Sequence, residues 1–320
     1  MRIGVDVGGT NTDAVLVSGE DVLASCKMLT TPNVGDGVAT AIGKVLTDSN
    51  VSADKIQCVM IGTTHFTNAF VERRGLLEVG MIRVSLPAAR GIPPMLDWPE
   101  DIAEAIGRNI HLIEGGYNYD GRLNSALDEQ AVAQAARALK KQGITSVAIS
   151  GVFSSVNSDM EERAAEIVRQ EMGDINLTLS HTIGRIGILE RENATLMNAS
   201  LADMAHDVVA AFKNALKKLN ITAPFYISQN DGTLMSSEFV EKYPVLTFAS
   251  GPTNSMRGAA YLSGVKNAIV ADIGGTTTDI GVLVNGYPRE SSLTSDIGGI
   301  RTNFRMPDIL ALGLGGGSLV

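Results

Sequence analysis

IGVDVGGTNTDAVLV, residues 3–17, and IVADIGGTTTDIGVL, residues 269–283, are two copies of one pattern. Aligned, they share Ile, Asp, Gly, Gly, Thr, Thr and Asp at matching places. Each copy reads as a strand, a Gly-Gly-Thr turn and a second strand. In the first, Ile3, Val5 and Val7 alternate, and Ala14, Val15, Leu16 and Val17 form an apolar run. The strand delivers Asp6 or Asp272 to its end. The glycine pair permits positive φ and leaves no Cβ in the way. Backbone N–H groups and threonine hydroxyls can then converge on an anion. An aspartate does not bind phosphate directly, but it can hold Mg²⁺, often through water, with phosphate oxygens completing the shell. One such turn reads equally well as an ordinary tight hairpin. Two copies, one opening each half of the chain, point to a polyphosphate clamp. The expected cradle is Gly8, Gly9, Thr10, Asn11 and Thr12 with Gly274, Gly275, Thr276 and Thr277, and Asp6 and Asp272 are the expected metal and catalytic residues. No GxxxxGK[ST] and no GxGxxG opening a helix offers a single-loop alternative.

The remaining composition narrows the class. The chain has 320 residues and a net charge of −9, which argues against a nucleic-acid partner. Its 44% hydrophobic content supplies large cores, and its length suggests two domains. Cys26 and Cys58 form no CxxC, so a zinc ribbon, an iron–sulfur site and a disulfide scaffold are not expected. They read as buried small hydrophobes. The N-terminus lacks a signal-peptide pattern, and no run of apolar residues is long enough to span a membrane. A soluble, cytoplasmic protein with no membrane partner is the expectation.

Along the chain, strands are expected near 2–8, 13–18 and 21–29, a helix near 35–48, a strand at 56–61, a helix at 64–73 and a strand at 77–83. Residues 85–125, which hold four prolines and Trp98, read as an inserted loop or small subdomain. A helix at 128–142, a strand at 144–150, a helix at 158–172 and a strand at 175–180 follow. One long helical pattern runs over 192–219, and strands recur at 224–228, 267–273 and 279–284. This is an α/β order. The domain boundary is expected near 182–186, giving domains 1–184 and 185–320.

Further candidates lie outside the hairpins. Thr63, Thr64 and His65 sit between a strand and a helix, where hydroxyls can serve an anion or carbonyl, or simply cap the helix. His65 can move a proton near neutral pH. Asn68 and Glu72 share the next helix face, and Glu72, Arg73 and Arg74 read as solvated. Arg185 and Glu190, with Arg191, Asn193 and Asn198, place charge beside the long helix, either for substrate or for a structural ion pair. Gln229, Asn230 and Asp231 end a strand before Gly232. Gly251 and Pro252 open a helix that can face the phosphates.

The paired hairpins resemble the acetate/sugar kinase, heat-shock chaperone and actin superfamily. More closely, the chain resembles the hydantoinase/oxoprolinase A-subunit family. The resemblance is carried by DVGGTNTDAVLV (6–17), IGTTHFTNAFVERRG (61–75), GRIGILERENATLMNAS (184–200), SQNDGTLMS (228–236), SGPTNS (250–255), DIGGTTTDIGVL (272–283) and GLGGGS (313–318). It implies an actin-like, ribonuclease H-like ATPase fold of two α/β domains with a nucleotide cleft between them. It implies ATP and Mg²⁺ as cofactors and the opening of a cyclic amide or imide by phosphorylation of its carbonyl oxygen. Thr63, Thr64, Asn68, Arg185 and Glu190 are then substrate candidates, and Gly251 a nucleotide contact. A B-type hydantoinase subunit is the implied partner chain, and homo-oligomerisation stays open. The same resemblance includes carboxylase subunits that phosphorylate a ketone enol. A small-molecule kinase and a non-catalytic nucleotide-binding module are the other readings. The chain departs from the pattern at Asn11, where relatives carry an aromatic, and at His65, where apolar residues are usual. It also stops at Val320, before an expected Gly-rich adenosine-binding segment.

Overall fold

Burial alternates along Arg2–Val7: Ile3, Val5 and Val7 are buried while Arg2 and Asp6 are exposed. This is the pattern of a strand covered on one face. The computed structural model of the chain describes residues 1–31, 33–274, 277–291 and 294–318. Gly275 and Thr276 of the second expected cradle lie outside the described residues. The chain forms two compact units. One comprises Met1–Asn68, Ala205–Ser292 and Arg305–Val320, the other Ala69–Met204 and Leu293–Phe304. These units interleave along the chain and do not coincide with a division into 1–184 and 185–320.

The first unit is built on a six-stranded sheet in the order Leu234–Ser236, Phe225–Ser228, Cys58–Thr63, Arg2–Val7, Asn11–Ser18, Asp21–Leu29. Phe225–Ser228, Cys58–Thr63 and Arg2–Val7 are parallel neighbours. Helix Val34–Ser49 covers one face. It buries Val38, Ala41, Ile42 and Val45, packs on the first three strands and starts at Asn33, whose side chain accepts from the Asp36 N–H. A second sheet pairs Ala268–Ile273 with Thr278–Val284, which also pairs with Tyr287–Pro288 and Ile309–Leu312. Helix Ser250–Ser263 contacts both sheets.

The second unit holds a four-stranded parallel sheet in the order Asn176–Leu179, Ser146–Gly151, Val79–Leu86, Asn109–Glu114. Here the expectation for 85–125 is corrected. Glu100–Ile106 is a helix and Asn109–Glu114 a sheet strand, so the segment is a β-α-β crossover, not a loop. The prolines sit ahead of the helix, with Pro99 at its N-cap, where proline is tolerated. The long helix expected over 192–219 is two helices, Ile188–Ser200 and Ala202–Lys218. The ladder breaks at Leu201, and the Ser200 carbonyl accepts from the Leu77 N–H at 2.9 Å. Among the described residues no helix is long and apolar enough to cross a membrane.

Strand parity divides this sheet. Ile82, Val84, Val147 and Ile149 belong to the apolar core shared with helices Glu129–Lys141 and Asp159–Met172. Arg83 and Ser150 lie on the opposite face, against helix Ile188–Ser200. Arg83 Nε lies 3.0 Å from Glu192 Oε2, both side chains fully buried, and Ser150 Oγ donates to the same carboxylate at 2.9 Å. Arg191 donates to Ser180 Oγ, Arg185 O and Gly151 O at 2.9, 2.9 and 2.6 Å. Ser180 and His181 both reach Glu161. Burial pushes the Glu192 carboxyl up to about 7, against the pull of Arg83 and Ser150. The charges of the GRIGILEREN stretch thus hold this unit together.

A buried pair is fragile to the loss of one partner. Glu192→Ala strands Arg83, and urea unfolding is expected to show a loss of roughly 3–5 kcal/mol, whereas Arg83→Met combined with Glu192→Leu loses far less. His181 gives a pH test. Its hydrogen bond to Glu161 raises its pKa above the ordinary imidazole value of about 6.5. Its contribution is therefore complete below pH 6.5 and is lost as pH rises through the folded-state value. His181→Asn is expected to flatten that part of the stability–pH curve.

Candidate nucleotide site

On the uncovered face of the six-stranded sheet, strand register draws four residues into one row. Gly62 pairs with Asp6, Asp6 with Asp13, and Asp13 with Lys27. The row lines a cavity of about 620 Å³ together with Ser228 and Asn254. Gly62 leaves room for its neighbours: a Cβ there would meet Asn254 Nδ2 at 2.7 Å and Asp6 Oδ1 at 2.8 Å and would displace those side chains. A glycine inside a strand marks such a close approach. Asp6 is reachable by solvent yet set in a concave wall. Burial raises its pKa above the ordinary aspartate value, Asp13 adds to the rise, Lys27 opposes it, and Asp272 raises it further. Burial, then Asp272, also raises Asp279.

The two turns are built alike. Gly8 N–H donates to Asn11 O at 2.9 Å, and Gly274 N–H donates to Thr277 O at 2.8 Å. Asp6 pairs with Asp13 as Asp272 pairs with Asp279. Of the two expected reasons for the glycines, positive φ does not apply, and room for a close approach does. Gly8, Gly9 and Gly274 are not among the residues with positive φ. Closeness is the constraint, since a Cβ on Gly8 or Gly274 would stand 3.2 Å from the carbonyl of Asn11 or Thr277. Gly9 and Thr10 are exposed at the first turn, and Thr277 at the second. Thr12 is corrected as well. Its hydroxyl is buried on the helix-covered side, 3.1 Å from Thr30 Oγ1, and Thr30 Oγ1 donates to Gly8 O at 2.8 Å. The Thr12 hydroxyl braces the turn from behind. At the second turn Gly316 N–H donates to Gly274 O at 2.9 Å, and Thr278 Oγ1 donates to Leu314 O at 2.6 Å. The GLGGGS stretch thus supports the second hairpin.

Loops at the carboxyl ends of the parallel strands join this site. Asn68 Nδ2 lies 3.6 Å from where a Cβ of Gly9 would stand and donates to Thr64 Oγ1 at 3.3 Å. Thr63 Oγ1 accepts from the His65 N–H at 3.1 Å at the start of helix His65–Val71. The Ser250 hydroxyl lies 3.5 Å from the Thr63 carbonyl, and Gly251 comes within 3.5 Å of the Thr64 methyl by the same Cβ test. The His65 ring stands edge-on to Phe66, and burial lowers its pKa, so it is neutral at pH 7. Asn230 is buried and donates to Arg305 O at 2.6 Å, and Asp231 bonds Thr233 within its own turn. Cys26 and Cys58 are half-buried and free, not fully buried as expected.

Arg185 and Glu190 belong to the second unit. Asn303 organises their loop, donating to the carbonyls of Arg185, Ile186 and Gly187 at 3.2, 3.0 and 3.3 Å. Asn193 accepts from Trp98 Nε1 at 2.8 Å, and Asn198 donates to Thr178 Oγ1 at 3.1 Å. Sequence reasoning missed Lys27, Ser228 and Asn254. Gly62, lying inside an apolar strand, was the signal for Asn254. Lys27 was hidden by a β-bulge. Ser18 pairs with Asp21, and that register continued would set Cys26 opposite Asp13. The shift between Leu16 and Val17 turns Lys27 to the cavity face instead.

Comparison with known proteins gives the ancestry of this geometry. The family profile described as hydantoinase/oxoprolinase N-terminal region matches residues 2–172, and the hydantoinase/oxoprolinase profile matches residues 191–320. The chain is 28% identical to the caprolactamase subunit alpha of Pseudomonas jessenii, over 99% of this chain and 48% of that protein. It is 26% identical to the acetophenone carboxylase gamma subunit of Aromatoleum aromaticum, over 99% of this chain and 47% of that protein. The crystal structure of the ATP-dependent caprolactamase from Pseudomonas jessenii superposes with a TM-score of 0.80 at 25% identity, covering 99% of this chain and 48% of that one. The chain spans about half the length of these curated relatives. Its paired hairpins are those of an actin-like α/β fold, and the chain belongs to the hydantoinase/oxoprolinase family.

Proposed function

We propose that the chain carries the phosphoryl-transfer site of an ATP-dependent enzyme that opens a cyclic amide or imide. The observation that carries this reading is the duplicated hairpin, with the same turn-closing hydrogen bond and the same Asp–Asp register. In the reaction the terminal phosphoryl group of ATP passes to the amide oxygen, and the O–P bond to ADP breaks. Water then adds to the activated carbon and the ring C–N bond breaks with a proton passing to nitrogen, leaving an acyl phosphate that a second water hydrolyses to the carboxylate and inorganic phosphate. An amide resists hydrolysis because nitrogen donation makes its carbonyl carbon a weak electrophile, and phosphorylation of the oxygen makes that carbon open to attack by water. Phosphoryl transfer asks mainly for positioning and charge neutralisation.

The residues divide by role. Exposed backbone around Gly9, Thr10 and Thr277 faces phosphate oxygens. Asp6 and Asp272 hold Mg²⁺ and order water. Among the described residues no group of three His, Cys, Asp or Glu side chains forms a metal cage. That suits Mg²⁺, which keeps several waters and shares its shell with substrate phosphates. When bound, it neutralises phosphate charge. Thr64, Asn68 and Gly251 border the same loops, and Arg185 and Glu190 remain substrate candidates of the second unit. A B-type subunit is the proposed partner. The likeness to a carboxylase subunit favours one second reading, in which the phosphorylated oxygen is that of a ketone enol.

Incubation with Mg-ATP and a panel of lactams, hydantoins, 5-oxoproline and aryl ketones with bicarbonate tests both, with and without a B-type subunit. Ring-opened product with equal amounts of ADP and phosphate is expected. A carboxylated ketone selects the second reading, and a stable phosphorylated product selects a kinase. Asp6→Asn and Asp272→Asn are each expected to cut turnover at least ~100-fold, the scale of losing a group that acts on transition-state charge. Gly62→Ala, which drives a Cβ into Asp6 and Asn254, should cut turnover on that scale with a cooperative unfolding transition retained by circular dichroism.

A further inference from the structure

The two hairpins repeat each other, and the strand beside each one breaks the repeat. In the first, Asp13 pairs with Lys27. In the second, Asp279 pairs with Ala311. The duplicated site is thus electrically lopsided: a fixed cation stands beside one turn, and a methyl group occupies the corresponding place by the other.

Lys27 is placed for more than a surface pair. Its Nζ lies 3.0 and 2.8 Å from the two Asp13 oxygens, and its side chain remains 65% exposed. An ammonium has three N–H groups, so two directed at Asp13 leave one for another acceptor. Among the described residues that line the 620 Å³ cavity, Lys27 is the one cation, and it stands in the same row as Asp6 and Gly62. Exposed pairs of this kind contribute only about 0–1 kcal/mol to folding. Stability therefore gives little reason for a lysine here. Chemistry gives a better one. A polyphosphate entering beside Asp6 and Asp13 needs fixed positive charge in addition to a metal ion, and a lysine supplies it as a point charge.

We propose that Lys27, aimed by Asp13, contacts the terminal phosphate of the nucleotide, so that the first hairpin serves the transferred group and the second serves the rest of the polyphosphate. This rests on the ATP reading above. Lys27 is then a catalytic residue and Asp13 a positioning residue.

The test is equilibrium binding of Mg²⁺ with the β,γ-imido analogue of ATP, and separately with ADP, to the 320-residue chain as wild type, Lys27→Met and Lys27→Arg. The expected result is a loss of about tenfold or more in analogue affinity for Lys27→Met, with ADP affinity within about twofold and recovery in Lys27→Arg. The thermal midpoint should move by no more than ~2 °C, as for an exposed pair. Equal losses for both nucleotides, or no loss for either, would overturn the assignment while leaving the ATP reading intact. A wild-type chain that binds neither nucleotide overturns the ATP reading and this assignment with it.

Discussion

Three parallel strands decide where everything at the nucleotide site can be. Phe225–Ser228, Cys58–Thr63 and Arg2–Val7 run side by side in one direction, so their carboxyl ends share one edge. Ligands in open α/β sheets bind outside that edge. Here it receives the Gly8–Asn11 turn, the Thr63–His65 junction that opens helix His65–Val71 and the loop after Ser228. The pairing of Tyr226 with Met60 matters most, because it returns the chain to the first unit after residues 69–204 have formed the second. Without that ladder, helix Ser250–Ser263 and the second hairpin would have no fixed place relative to Asp6.

The sequence showed what depends on short-range pattern. Alternation in Ile3, Val5 and Val7 located the first strand, and the repeated Asp-x-Gly-Gly-Thr located both turns. What it hid depends on register or on long-range contact. One extra residue, Leu23, between Val22 and Ala24 decides whether Cys26 or Lys27 stands opposite Asp13, and no local preference reveals it. Thr12 looked like a ligand because it follows the turn, yet strand parity sends its side chain to the covered face. The break at Leu201 was invisible because the apolar period continues through it. The observed end of the first helix coincides with a hydrogen bond from Leu77, more than a hundred residues earlier.

The same logic separates two uses of charge that look alike on paper. GRIGILEREN and the hairpins both mix acids and bases with apolar residues. In the second unit Arg83, Glu192 and Arg191 are fully buried: Arg191 donates to Ser180, Arg185 and Gly151, Glu192 meets Arg83 and Ser150, and Arg83 also donates to the Ile92 carbonyl, so their work is internal. In the first unit Asp6, Asp13 and Lys27 lie open on a sheet face whose opposite face packs on a helix. Fully desolvated and enclosed charge stabilises one arrangement of the chain. Charge held rigidly by a sheet but left facing a cavity has interactions still to make.

Rigidity is what the sheet adds to the chemistry. A phosphoryl transfer gains from groups that need no reorganisation when charge moves. Loops can supply N–H donors, but their charged side chains wander. Asp6, Asp13 and Lys27 instead project from neighbouring strands whose ladders fix their spacing. Gly62 fixes the height of Asp6 by leaving room for nothing larger. The duplicated hairpin provides two nearly equal walls, and the strand paired to each wall makes them unequal. Direction in the reaction, which end of a polyphosphate is held and which is given away, can arise from that single difference in the neighbouring strand.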